Sequence, residues 1–119
     1  MSSWTDLPTY GGASGSARIA KIDNSGAHRT LELEQVLTKD GTLLGRKIEY
    51  KVKFKNARSD WKGGISRFRA GTSRGKSKDT YYAVNYAVGV DVRICSDTLG
   101  PFNRCGRSVY IDGNQPDPD

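Results

Sequence analysis

The sequence predicts an all-β protein: a small antiparallel β-sandwich carrying an extended N-terminal arm. Three observations point there. Several runs alternate apolar and polar residues with the period of two that sends every second side chain to the same face of a strand. Thr, Val, Ile and Tyr are frequent, and 14 glycines punctuate the chain between those runs. No segment of three helical turns carries an apolar stripe, and there is no heptad or internal repeat. Short strands joined by turn signals, one of them long enough to bend between two layers, favour a sandwich among the all-β architectures.

The elements are expected in the following order. Residues 1–16 are rich in Ser, Gly and Thr and hold few large apolar side chains, so they read as a flexible arm outside the core. The domain proper spans 17–113. ARIAKI is a short strand, DNSG a turn, and HRTLELEQVL a longer strand in which Leu31 and Leu33 alternate with Thr30, Glu32 and Glu34. TKDG carries an Asp-Gly pair suited to a hairpin leading into RKIEYKVKFK. In that strand Ile48, Tyr50, Val52 and Phe54 form a core face, and Lys47, Glu49, Lys51, Lys53 and Lys55 the opposite one. NARSDWKGG is a polar loop holding Trp61. ISRFR is a short strand with Phe68 in the core. AGTSRGKSKD, with no apolar residue larger than Ala70, reads as a flexible basic loop. TYYAVNYAVGVDVRIC then gives the strongest strand pattern, placing Tyr82, Val84, Tyr86, Val88, Val90, Val92 and Ile94 on one face. Gly89 within it marks a bulge or bend where the strand passes between sheets. RSVYI closes the domain, and residues 114–119 form an acidic, Pro-broken tail.

At 119 residues the chain is one domain, burying roughly two-thirds of its unfolded surface. Its 35% hydrophobic content and mean hydropathy of −0.64 exclude a membrane or disordered class, and no apolar run of about 18 residues occurs. The formal net charge is +6 and the pI about 9.5, which favours an anionic partner. That charge is concentrated. Between Arg46 and Lys78 stand twelve Lys and Arg residues against Glu49 and Asp60, a net of +10, so the remainder is net acidic by −4. With Trp61, Phe68 and Tyr81 interleaved, Lys51, Lys53, Lys55, Arg67, Arg69, Arg74, Lys76 and Lys78 are candidate anion-binding residues of a nucleic-acid-binding β protein, such as a virion or packaging component. The bland alternative is that lysines on an exposed strand discourage edge-to-edge pairing.

No catalytic, cofactor or metal site is expected. His28 is the only histidine, and its one catalytic reading, a small toxin nuclease with Glu32 or Glu34 as partner, stands beside that of an exposed strand-entry residue. GASGSA lacks the spacing of a nucleophile elbow, and neither DNSG nor DGNQPDPD has the oxygen-ligand spacing of a calcium loop. Cys95 and Cys105, ten positions apart, are too few ligands for a structural zinc site. A disulfide would contribute about 2–3 kcal/mol through the closed loop and would place the chain in an oxidising compartment. MSSWTDLPTYGG has no signal-peptide pattern, so the chain begins at a mature terminus with an added Met, or it is cytoplasmic with free thiols.

The run AVGVDVRICSDTLGPFNRCGRSVYIDG resembles the closing segment of small secreted proteins of streptomycetes and related actinobacteria: a Val-rich strand ending V-x-V-x-x-C, a ten-residue loop, then C-G and a last short strand. The resemblance spans about Thr80 to Gly113. It implies a secreted one-disulfide sandwich with Cys95 bonded to Cys105. Some such proteins look like adaptor subunits of secreted antibacterial toxin assemblies. On that reading the chain is an extracellular, non-enzymatic adaptor that binds another protein, with Trp4, Leu7 and Tyr10 of the arm as anchors that reach a partner by strand addition.

Overall fold

The computed structural model describes residues 2–42, 44–82, 84–97 and 104–114. Its strands are β1 (Thr5–Tyr10), β2 (Ala13–Asp23), β3 (His28–Lys39), β4 (Gly45–Phe54), β5 (Lys62–Arg67), β6 (Gly71–Tyr82), β7 (Ala87–Asp97) and β8 (Val109–Asp112). They form two four-stranded antiparallel sheets, A in the order β1-β2-β3-β6 and B in the order β5-β4-β7-β8. Described residues form no helix. The expected sandwich is therefore present. Leu31, Leu33 and Leu37 of sheet A meet Ile48, Val52 and Val92 of sheet B in a core from which water is excluded. At about 1.5–3 kcal/mol per fully buried aliphatic side chain, this layer is what opposes the conformational entropy of the chain.

Five expectations need correction. The first concerns residues 1–16. Residues 2–16 are not a loose arm: β1 pairs with β2, and Leu7 and Ala13 are buried. Gly11 and Gly12, both at positive φ, make the two-residue turn that joins Tyr10 to Ala13, because such turns match the twist of a hairpin only when both central residues are left-handed. The second concerns TKDG, which is not a hairpin. β3 and β4 lie in different sheets, and the crossing is held by Asp40, whose N–H donates to the Gly12 carbonyl at 2.9 Å while its Oδ1 accepts from the Thr42 N–H at 2.9 Å.

The third correction is the largest. AGTSRGKSKD is no loop but most of β6, paired to β3 along its whole length. Arg74, Lys76 and Lys78 face solvent, while Gly75 and Ser77 face the interior. A Cβ on Gly75 would meet Ile65 Cγ2 at 2.7 Å, so the approach of β5 demands small residues there. Gln35, fully buried, completes this junction: its Nε2 donates to Ser77 Oγ at 2.7 Å and its Oε1 accepts the Ile65 N–H at 3.0 Å.

The fourth concerns TYYAVNYAVGVDVRIC, which is two strands in two sheets. The chain turns at residues 84–86, with the Asn85 N–H donating to the Tyr82 carbonyl at 3.0 Å, and Tyr82 and Val84 are left in solvent. Val90, Val92 and Ile94 do share the core face, as expected. The bulge is also real: Gly89 pairs with Lys53 but Ala87 with Phe54, so Val88 is the extra residue and Ala87 takes the buried place. Phe68, expected in the core, is exposed on the β5–β6 turn. Cys95 and Cys105 are bonded. Part of their loop, and the tail beyond Asn114, lie outside the described residues.

Candidate functional site

On sheet A the register brings together residues that lie far apart in sequence. Ser2 is bound to β2 through both its N–H, which donates to the Ile19 carbonyl at 2.9 Å, and its Oγ, which accepts the Ile19 N–H at 2.8 Å. The pairing of Thr5 with Ala17 then sets Trp4 beside Arg18, whose guanidinium lies 4.8 Å from the centre of the indole. Arg18 is opposite Glu34, and Glu34 opposite Lys76. Trp4, Arg18, Glu34 and Lys76 thus form one row across the solvent face, with strands about 4.8 Å apart. The adjoining row contains Ser16, Val36 and Arg74. Between a large indole and long cations, Val36 and Gly75 leave a shallow groove of about 460 Å³.

The electrostatics of that groove are unbalanced. Arg18 donates to Glu34 Oε2 from Nε at 3.2 Å and from Nη2 at 3.0 Å, and Lys76 reaches Glu32 at 3.9 Å. Among the described residues Arg74 and Lys78 have no ion-pair partner, so the β6 side stays positive. Of the residues expected as anchors, Trp4 is exposed. Leu7 is in the core, and Tyr10 packs against it beneath Arg46, with its hydroxyl 3.4 Å from Ser96 Oγ. Leu7 is therefore closed to a partner, and Tyr10 is only partly exposed.

The expected basic segment is divided by the fold. Lys51 and Lys53 lie on the outer face of sheet B, Arg74, Lys76 and Lys78 on the outer face of sheet A, and the two faces point away from each other. Lys55 and Arg69 stand in turns at opposite ends. Arg67 is spent on backbone, donating to the Ala70 carbonyl at 2.8 Å and the Thr72 carbonyl at 3.2 Å. β4 is an interior strand, so edge protection cannot explain its lysines; that explanation fits β6, the edge of sheet A.

What occupies the outer face of β4 is a self-contained cluster. Glu49 accepts from Arg93 at 2.8 and 3.1 Å and pairs with Lys47 at 3.3 Å. Burial pushes the Glu49 carboxyl upward, but these two cations outweigh it and hold the group below its usual range. Trp61 covers the cluster, its ring 3.7 Å from the Arg93 guanidinium and 4.7 Å from the Lys51 ammonium. Glu49 Oε1 also lies 3.2 Å from Cys95 Sγ and 3.8 Å from Cys105 Sγ, but both sulfurs are committed to their mutual bond and offer no thiolate.

His28 opens β3 on the solvent face, against Tyr82. Glu32 lies four residues along the strand, about 13 Å away, and is turned to Lys76, while Glu34 is held by Arg18. The acid–base pairing considered for a nuclease is therefore not assembled. Arg18 and Val36 were missed by sequence reasoning, and Glu34 was considered only as an acid–base partner of His28. Their signal is the alternation of β2 and β3, which becomes a site only once the strands are aligned. No protein-family model, curated protein or solved structure matches this chain.

Proposed function

We infer that this chain is a secreted, non-enzymatic binding domain that docks an acidic, extended segment of a partner protein in the groove of sheet A. The observation that carries the reading is the row of Trp4, Arg18, Glu34 and Lys76 beside Arg74. It offers one flat apolar surface and several cations at strand spacing, the complement of a segment in which acidic and apolar residues alternate. The Cys95–Cys105 bond supports an oxidising compartment, as does the likeness of the closing segment to secreted actinobacterial proteins. An adaptor role fits a domain with an open face and, among the described residues, no assembled acid–base pair at His28.

The test is a titration with a synthetic peptide alternating Glu with Leu and Phe, followed by amide chemical shifts. Shifts are expected at Arg18, Val36, Arg74 and Lys76, with affinity falling about tenfold or more in Trp4→Ala and in Lys76→Glu. Unchanged affinity in both variants would sink the proposal. An oligothymidylate of matched charge serves as a second arm. If it binds more tightly than the peptide, with a steep salt dependence, the nucleic-acid reading replaces the protein one.

A further inference from the structure

A second concave site lies at the end of the sandwich, separate from the groove of sheet A. It is a cleft of about 300 Å³ built by the start of β3, the β4–β5 turn and the β6–β7 turn. Its walls carry Arg29, Lys55, Asn56 and Asn85, with Phe54 and Tyr86 as the apolar part, and none of the described residues lining it is a carboxylate. Sites of this kind favour the turns at a sandwich end, because the sheets beneath hold the turns in place.

Arg29 is the residue that needs explaining. It has the parity of Leu31 and Leu33, but the core ends at this level and its side chain meets the ring of Tyr86, 5.6 Å from the centroid. Its Nε is buried without a hydrogen-bond partner. Arg67 shares that feature, yet the rest of the Arg67 guanidinium is taken up by backbone carbonyls, whereas Arg29 makes no hydrogen bond or ion pair with a described residue. The two described carboxylates that act on the neighbouring Tyr81 are engaged elsewhere: Asp79 with Lys62 at 2.8 Å, and Asp23 with Ser25. A buried cationic donor left in this way is better satisfied by an acceptor from outside.

We propose that the cleft binds a small organic anion, a carboxylate or phosphate carried on a flat apolar group. The Arg29 guanidinium takes two oxygens of the anion, and the flat group lies between Phe54 and Tyr86. Phe54 is itself fixed by an edge contact with Tyr81 at 5.2 Å, so this wall is already in place. At about 300 Å³ the cleft lies at the lower limit for small-molecule sites and accommodates one ring with its acid.

The experiment is an amide chemical-shift titration with phenylacetate, phenyl phosphate, phenylacetamide and inorganic phosphate. The two aryl acids are expected to shift Lys55, Asn85 and Tyr86 while leaving Arg18 and Lys76 still, and the more tightly bound of the two names the anion. Phenylacetamide is expected to bind at least about tenfold more weakly, and Arg29→Gln to lower the affinity for the better acid by a similar factor. Binding of the amide as tight as that of the acids would overturn the proposal. So would inorganic phosphate matching phenyl phosphate, or an Arg29→Gln variant that keeps full affinity. Should Arg29→Gln lose its dispersed spectrum, Arg29→Lys, which keeps the charge but cannot bond two oxygens at once, decides in its place: about a threefold loss supports the site and no loss refutes it.

Discussion

Replacing Leu7 by Ala separates a packed strand from a loose arm. In an arm the side chain would be solvated in both states and the change would cost almost nothing. In the structure Leu7 is only 4% exposed, and its Cδ1 closes over Gly15 beside the Cδ1 of Ile94 from the other sheet. Removing three carbons at about 0.8 kcal/mol each gives about 2.4 kcal/mol, and the residual cavity adds to that. Because β1 is an edge strand its neighbours can close part of the gap, so the total is expected at about 2.5–3 kcal/mol, or a fall in Tm of roughly 10 °C for a domain of this size. The assay is urea unfolding followed by tryptophan fluorescence, with the slope m required to match that of the unmodified protein. Trp4→Ala, which removes an exposed ring and one cation–π contact, is the control and is expected to cost about 0.5–1 kcal/mol. A loss below about 0.5 kcal/mol for Leu7→Ala, no larger than the control, would refute the packing of β1. The same reasoning predicts that deleting residues 1–16 damages the fold, since the deletion removes β1 and the first residues of β2.

Two further predictions test other parts of the structure. Gln35→Leu fills the same space but leaves the Ile65 N–H and Ser77 Oγ without their partner, at a cost of about 2 kcal/mol, and hydrogen exchange at Ile65 is expected to accelerate. Glu49 links stability to acid. Its folded pKa lies below the unfolded value of 4.5, so the stabilisation is complete above that value and is lost as pH falls through the folded pKa. Unfolding curves from pH 7 to pH 3 should show the unmodified protein losing its advantage over Glu49→Gln below about pH 4.5, and a gap that stays constant would contradict the ion-pair cluster.

The alternation in RKIEYKVKFK was sufficient to assign Ile48, Tyr50 and Val52 to the core, because the period of a strand is local and each side chain faces one layer or the other. Alternation could not tell whether β4 is an edge or an interior strand, since that depends on which strands lie beside it. β6 escaped notice for a related reason. Its period of two is carried by small residues against charged ones, RGKSK, and apolar residues are absent because β5 approaches its inner face too closely to admit them. β1 escaped notice because one buried leucine in TDLPTY is too little hydrophobicity to mark a strand, so the Gly-Gly turn that follows it was read as part of an arm.

Fold class, the faces of β3 and β4 and the core half of β7 were thus determined by the sequence alone, all of them consequences of neighbouring residues or of composition, whereas the bond between Cys95 and Cys105 needed the register that sets them side by side. The candidate sites were decided by tertiary structure. Trp4 meets Arg18 only through the register of β1 on β2, and Lys76 meets Glu34 only through that of β6 on β3. Arg29 becomes a binding candidate because the core ends at its level and two distant turns enclose it. The basic run that looked like one surface was divided because β4 and β6 joined different sheets. Charge that is contiguous along a chain remains contiguous in space only when its strands share a face.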